Sequence, residues 1–259
     1  MSALMSAHFR CWVTNPFHSS GAFAATISAS AISLNAHQHP IGTIGVVPTL
    51  VSLVTSALEA YSLSDVEDAL VAEYCAQNHL IPEGNTSLGR ALARNDLAPL
   101  RTHLLQANSW SLDDLIISFE TCVPRDEAKR YGAVFTPDAI TSFMAAEAIQ
   151  RAVDSGVAVD EITVIDPAVG CGALLVAALR ALVARGTKSP SEVSKRLTGI
   201  DISASSASRA ELLISIACLA LADPLPAKPN IIVGNSLEDD IADLALDTRG
   251  YSLVLANPA

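Results

Sequence analysis

The residues best suited to chemistry lie in four short segments in the second half of the chain. They read Asp166-Pro167-Ala168-Val169-Gly170-Cys171-Gly172, Gly199-Ile200-Asp201-Ile202, Gly234-Asn235-Ser236-Leu237 and Leu255-Ala256-Asn257-Pro258. Gly170 and Gly172 permit a tight turn and let a ligand approach the backbone, and a helix starting there offers free N–H groups. A dinucleotide fingerprint asks for a third glycine where Leu175 stands. Asp166, ahead of the glycines, suits a cation and repels a pyrophosphate. A cofactor with an ammonium, a sulfonium and no phosphate, such as S-adenosylmethionine, meets that demand; a tight turn without a ligand is the competing reading. Asp201 stands where a carboxylate can accept both hydroxyls of a ribose; it can equally sit solvated at a helix start. Asn235 can read an adenine edge or simply mark a turn.

These segments need elements that hold them together. After Asp160 the pattern alternates short β-branched runs with apolar helices, which implies a parallel sheet with right-handed crossovers. Strands are expected at 162–165, 197–202, 230–233 and 252–256, in the spatial order third, second, first, fourth. Helices are expected at 173–184, from a Ser203 cap to 221, and near 241–246. Each candidate residue then follows a strand, at the carboxyl ends where such sheets bind ligands.

The first half reads differently. Residues 47–58 have helical apolar spacing, and Ser64 with Glu67 predicts a capped helix whose apolar face is Val66, Leu70, Val71 and Tyr74. A turn at 82–84 and short helices at 88–94, 97–105 and 112–119 complete a small all-α module with a packing role. Before residue 59 the only charged side chain is Arg10. The apolar runs at 21–34 and 41–58 lack the basic start of a signal peptide, and the second is interrupted by Gly45 and Pro48, so no membrane segment is expected. The chain therefore divides into a low-charge extension (1–46), buried or poorly ordered, a helical module (47–128) and a ligand-binding α/β domain (129–259).

The 259 residues carry 16 basic and 27 acidic side chains, a net charge of −11, which makes the chain a poor non-specific polyanion binder. The 5 cysteines are scattered without a CxxC pair, so neither a zinc knuckle nor a disulfide framework is indicated, and a cytoplasmic location follows.

Taken in order, the segments resemble the amino-methylating DNA methyltransferases whose cofactor motifs precede the catalytic motif, among them type I restriction modification subunits. Asp166 to Gly172 is similar to the D-P-A-x-G-x-G cofactor loop, Asp201 with Ile202 to the ribose-binding position, and Gly234-Asn235-Ser236-Leu237 to the adenine-binding segment. Asn257-Pro258 resembles the start of the catalytic N-P-P-[YF] tetrapeptide. Upstream, Gly132-Ala133-Val134-Phe135-Thr136-Pro137 is similar to the G-x-x-[FY]-T-P element before the cofactor domain. Thr136 also suits an N-cap with Pro137 at the first helical position, opening a helix that buries Ile140, Phe143, Met144 and Ile149.

The resemblance implies a Rossmann-like α/β sheet that binds S-adenosylmethionine through Phe135, Thr136, Asp166, Pro167, Ala168, Gly170, Gly172, Asp201, Ile202, Asn235 and Ser236. Asn257 and Pro258 would be catalytic, accepting the hydrogens of an adenine N6 amine during direct methyl transfer. No covalent enzyme intermediate is implied, and Cys171 is a loop filler. Duplex DNA is the implied partner, held through family regions missing from this chain, with specificity or restriction subunits beside it. Ala259 stands where the family usually has a second proline. The family's stacking aromatic, further strands and target-recognition region would follow. The chain is thus expected to be a fragment, inactive on DNA by itself, with an incomplete sheet whose fourth strand is an open edge. Transfer to cytosine N4 or to a protein glutamine amide, and a non-catalytic remnant, remain open alternatives.

Overall fold

The computed structural model describes residues 8–13, 23–28, 48–81, 87–124, 126, 136–186, 188–223, 227, 229–239 and 250–257. The expected helix near 241–246 and the turn at 82–84 lie outside them, as do Phe135 and Pro258.

Two strands, β1 (His8–Val13) and β2 (Phe23–Ser28), come from the N-terminal extension. The helical region follows: α1 (Leu50–Ala57), α2 (Leu63–Gln77), α3 (Ser87–Leu92), α4 (Ala98–Leu104) and α5 (Leu112–Thr121). The α/β region comprises α6 (Asp138–Asp154), β3 (Val164–Asp166), α7 (Ala173–Val183), α8 (Pro190–Ser194), β4 (Leu197–Asp201), α9 (Ala204–Ala220), β5 (Asn230–Val233) and β6 (Leu253–Ala256).

The sheet runs β2-β1-β6-β3-β4-β5. β3 pairs in parallel with both β4 and β6, and β4 with β5. The four expected strands are therefore parallel neighbours in the expected order, and the sheet is Rossmann-like. β3 starts two residues late because a 3₁₀ turn, Val159–Glu161, takes up the approach.

The open edge expected at β6 is filled. β1 pairs antiparallel with β6, from Arg10 opposite Ala256 to Val13 opposite Leu253, and β2 extends the ladder. An unpaired row of N–H and C=O groups is a liability, and the antiparallel pair β1 and β2 covers it.

Side chains alternate across a strand, so each parallel strand feeds two faces. Val164, Leu253 and Leu255 enter the main core with Leu175, Leu179 and Leu213 from α7 and α9. Ile165 and Ile200 point to the opposite face, where Ile232, Tyr251 and Val254 pack against them. The main core is continuous with that of the helical region, through Leu70, Leu104, Leu115 and Phe119. Among the described residues two ion pairs join the regions: Arg209 on α9 meets Glu67 on α2 at 2.7 Å, and Arg180 on α7 meets Asp113 on α5 at 2.6 Å.

Two expected caps move. Ser62, not Ser64, caps α2, accepting from the Asp65 N–H and donating to the Asp65 carboxylate at 2.6 Å, so Ser64 falls inside the first turn. Thr136 does not cap α6 either. Pro137 is extended (φ −54°, ψ 142°) and occupies the N-cap, without a side-chain hydrogen bond. Of the apolar face expected for α6, Met144 and Ile149 are buried, whereas Phe143 is 53% exposed.

Candidate functional site

The site is built around the turn between β3 and α7. Gly170 and Gly172 take positive φ values of +53° and +90°, a region costly for any side-chain-bearing residue. Gly172 is also tightly packed, since a Cβ there would lie 3.1 Å from the Ala210 Cα on α9. From the other side, a Cβ on Gly199 would meet the Val169 side chain at 2.8 Å. Glycine at 199 therefore lets the turn lie flat on β4, where the Val169 N–H donates to the Ile200 carbonyl at 2.9 Å.

Both motif aspartates are tied into this turn. Asp166 ends β3, is fully enclosed, and accepts from the Ala168 N–H at 3.0 Å. Burial pushes its carboxyl up to about 7, with the Asp201 charge adding to the rise and the Ala168 N–H opposing it. Asp201 ends β4 and bridges two backbones: one oxygen accepts from the Gly170 N–H at 2.9 Å, the other from the Ser203 N–H at 2.8 Å. Each oxygen keeps a further lone pair for a ligand hydroxyl. The next strand is coupled to the same point, because the Gly234 N–H donates to the Asp201 carbonyl at 2.9 Å. There Asn235 folds on itself, its side-chain oxygen accepting from the Leu237 N–H at 3.1 Å.

An open cleft of about 340 Å³ lies over the turn. Thr136, Asp166, Ala168, Gly170 and Asn257 line it, together with Val169, Cys171, Ala173, Leu174 and Glu120. Segments far apart in the chain thus converge, and the Asn257 Nδ2 donates to the Thr136 Oγ1, 121 positions away, at 2.7 Å. Freed from capping duty, the Thr136 hydroxyl orients the Asn257 amide, leaving its Oδ1 to accept. Asp201 is joined to the cleft through Gly170 without lining it. Pro167, Gly172, Ile202, Asn235 and Ser236 lie outside its lining, although Pro167 and Gly172 shape the turn. Beyond Asp201, three large apolar side chains stand exposed at the carboxyl ends of the strands: Ile202 at 47%, Val233 at 57% and Leu237 at 94%.

The sequence pattern did not single out Glu120. It lies on α5, whose start is fixed by a reciprocal Ser111–Asp114 capping box. Its position one turn after the buried Ile116 puts it on the apolar face of α5. That acid on an apolar stripe was the available signal, hidden by ending the helix at 119. Burial pushes Glu120 up to about 8. A second cleft, of about 290 Å³, shares Glu120, Thr136 and Ala173 with the first and ends at Asp113, Asp138 and Arg180.

Cys171 lies in the cleft wall as a buried thiol, and burial drives its pKa far above the ordinary range. It is no thiolate nucleophile. Among the described residues no cluster of three or more His, Cys, Asp or Glu could hold a metal ion, and no helix is long and apolar enough to cross a membrane.

No curated protein matches the chain. A solved structure described as "cryoEM structure DrdV-DNA complex" is similar over 73% of this chain and 21% of that one, at 17% identity and a TM-score of 0.44. This chain therefore spans about a fifth of that chain's length. The family model for N-6 DNA methylase matches residues 121–259, more than half of the sequence and all of the site's turn, strands and Asn-Pro segment. The chain belongs to the N-6 DNA methylase family.

Proposed function

We propose that this chain is the cofactor-binding part of a DNA adenine-N6 methyltransferase that uses S-adenosylmethionine, in the cytoplasm and as part of a restriction-modification system. One observation carries this reading: Thr136, Asp166, the Gly170 turn and Asn257, far apart in sequence, meet around a single cleft. The residues fit the cofactor. Acidic groups without phosphate-binding character suit its cationic end, the Asp201 oxygens suit a ribose, and the exposed Ile202 and Leu237 suit the faces of an adenine.

S-adenosylmethionine supplies a methyl group made electrophilic by the sulfonium. The remaining work belongs to the chain. An adenine N6 amine is a weak nucleophile because its lone pair is delocalised into the ring. Asn257 Oδ1, oriented by Thr136, and the Pro258 carbonyl would accept its two hydrogens and favour a pyramidal nitrogen. Beyond that, the gain comes from holding the amine in line with the methyl group. The target base must leave the duplex stack, at a cost of a few kcal/mol. With a net charge of −11, the chain is poorly suited to grip phosphates. We assign that contact to the family's target-recognition region, with specificity or restriction subunits as further partners.

Calorimetric titration tests this reading. The chain is expected to bind S-adenosylmethionine in preference to NAD, and Asp201→Ala is expected to weaken it about 10-fold or more, the loss of a charge-assisted hydrogen bond. Tighter binding of NAD, or unchanged affinity in Asp201→Ala, would overturn it.

A further inference from the structure

The proposed chemistry leaves Glu120 without a task, and its surroundings make that conspicuous. It is only 8% exposed, lines both clefts, and its side-chain carboxyl has no hydrogen-bond partner among the described residues. A buried carboxylate without a partner is costly and is retained as a neutral acid until a cation arrives.

The groups that face it do not supply one. Arg180, on α7, is held by Asp113 of α5 at 2.6 Å and lies 3.7 Å from Asp138 of α6, at the far end of the second cleft. Across the turn stand Asp166 and Cys171, and beside them Thr136 and Asn257. None is positively charged. The cleft is short of a cation, and Glu120 is the acid left without a bond.

The sheet order says which end of a bound cofactor reaches it. The ribose and adenine positions lie over β4 and β5, on one side of β3, and the reacting amine over β6, on the other. With the nucleoside over β4 and the methyl group toward Asn257, the amino-acid end is left the space between Thr136 and α5. Resting on the function proposed above, we infer that the Glu120 carboxylate receives the α-ammonium of the cofactor, so that the helical region forms one wall of the cofactor site.

The inference is tested by calorimetry on the full chain with two ligands. S-adenosylmethionine carries the ammonium. 5′-Methylthioadenosine keeps the nucleoside and lacks the whole amino-acid end. Glu120→Gln is expected to weaken S-adenosylmethionine about 10-fold or more and to leave methylthioadenosine within about twofold, since one charge-assisted hydrogen bond is lost. A second readout separates charge from shape. At pH 7 the free chain holds Glu120 mostly protonated, given its pKa of about 8. Binding an ammonium must therefore release a proton, seen as a heat that depends on the buffer's ionisation enthalpy. Glu120→Gln should abolish that release, apart from any share from Asp166. Equal losses for both ligands, or unchanged S-adenosylmethionine affinity, would overturn the role of Glu120. Failure of the wild-type chain to bind either ligand would instead remove the cofactor reading itself.

Discussion

Replacing Gly172 by alanine and, separately, Gly170 by alanine should cost different amounts, and the structure says why. Both glycines have positive φ, +53° at Gly170 and +90° at Gly172, so each alanine bears the left-handed penalty of about 1–2 kcal/mol. Around Gly170 a new Cβ meets nothing within 4 Å. At Gly172 it meets the Ala210 Cα at 3.1 Å and the Ala210 Cβ at 3.2 Å. Those atoms belong to α9, whose backbone cannot swing aside as a flexible side chain would. Overpacking of this kind adds about 1–3 kcal/mol. Gly172→Ala should therefore lose about 2–5 kcal/mol and Gly170→Ala about 1–2. Denaturant unfolding followed by circular dichroism measures both, with the unfolding slope as the check that the transition is unchanged. Equal losses, or a smaller loss at Gly172, would show that the turn does not press on α9 as described.

Three more expectations follow from the same structure. Glu67→Ala leaves the Arg209 guanidinium, 3% exposed, without its carboxylate and should cost about 3–5 kcal/mol of unfolding free energy; a loss below about 1 kcal/mol would mean water reaches Arg209. Asp201→Asn keeps one oxygen for two N–H donors, so hydrogen exchange at Gly170 or Ser203 should accelerate, and unchanged exchange at both would contradict the bridge. The raised carboxyl of Glu120, about 8 against 4.5 when unfolded, makes the folded state hold more protons between those values, so its contribution to stability falls as pH rises from about 4.5 to 8. Glu120→Gln should flatten that fall and gain stability relative to wild type at pH 8, and an unchanged pH profile of the unfolding midpoint would refute it.

The strand order was legible because each strand of the parallel sheet ends in a distinctive residue, and the crossovers obey one hand. The boundaries were less so. Local alternatives for capping compete closely, and Ser62 wins over Ser64 by pairing reciprocally with Asp65. Thr136 reads as an N-cap from sequence, yet its hydroxyl accepts from Asn257, 121 positions away, a contact no local pattern announces. The β1–β6 pairing is longer still in range, and a low-charge segment rich in Ala, Ser and Thr carries little strand signal. Phe143 follows the helical period into the predicted apolar face but lies 53% exposed, because periodicity marks a stripe and not its edges. Glu120 was hidden by a boundary instead: with the helix ended at 119, the acid one turn after Ile116 fell outside the apolar stripe it belongs to.

The most direct measurement is a structure of the chain with S-adenosylmethionine bound. The ribose hydroxyls should lie on the Asp201 oxygens, the adenine against Ile202 and Leu237, and the sulfonium methyl should face Asn257 over the Gly170 turn. A ligand seated away from that turn, or turned with its nucleoside toward Thr136 and its amino-acid end over β5, would contradict the assignment of this cleft.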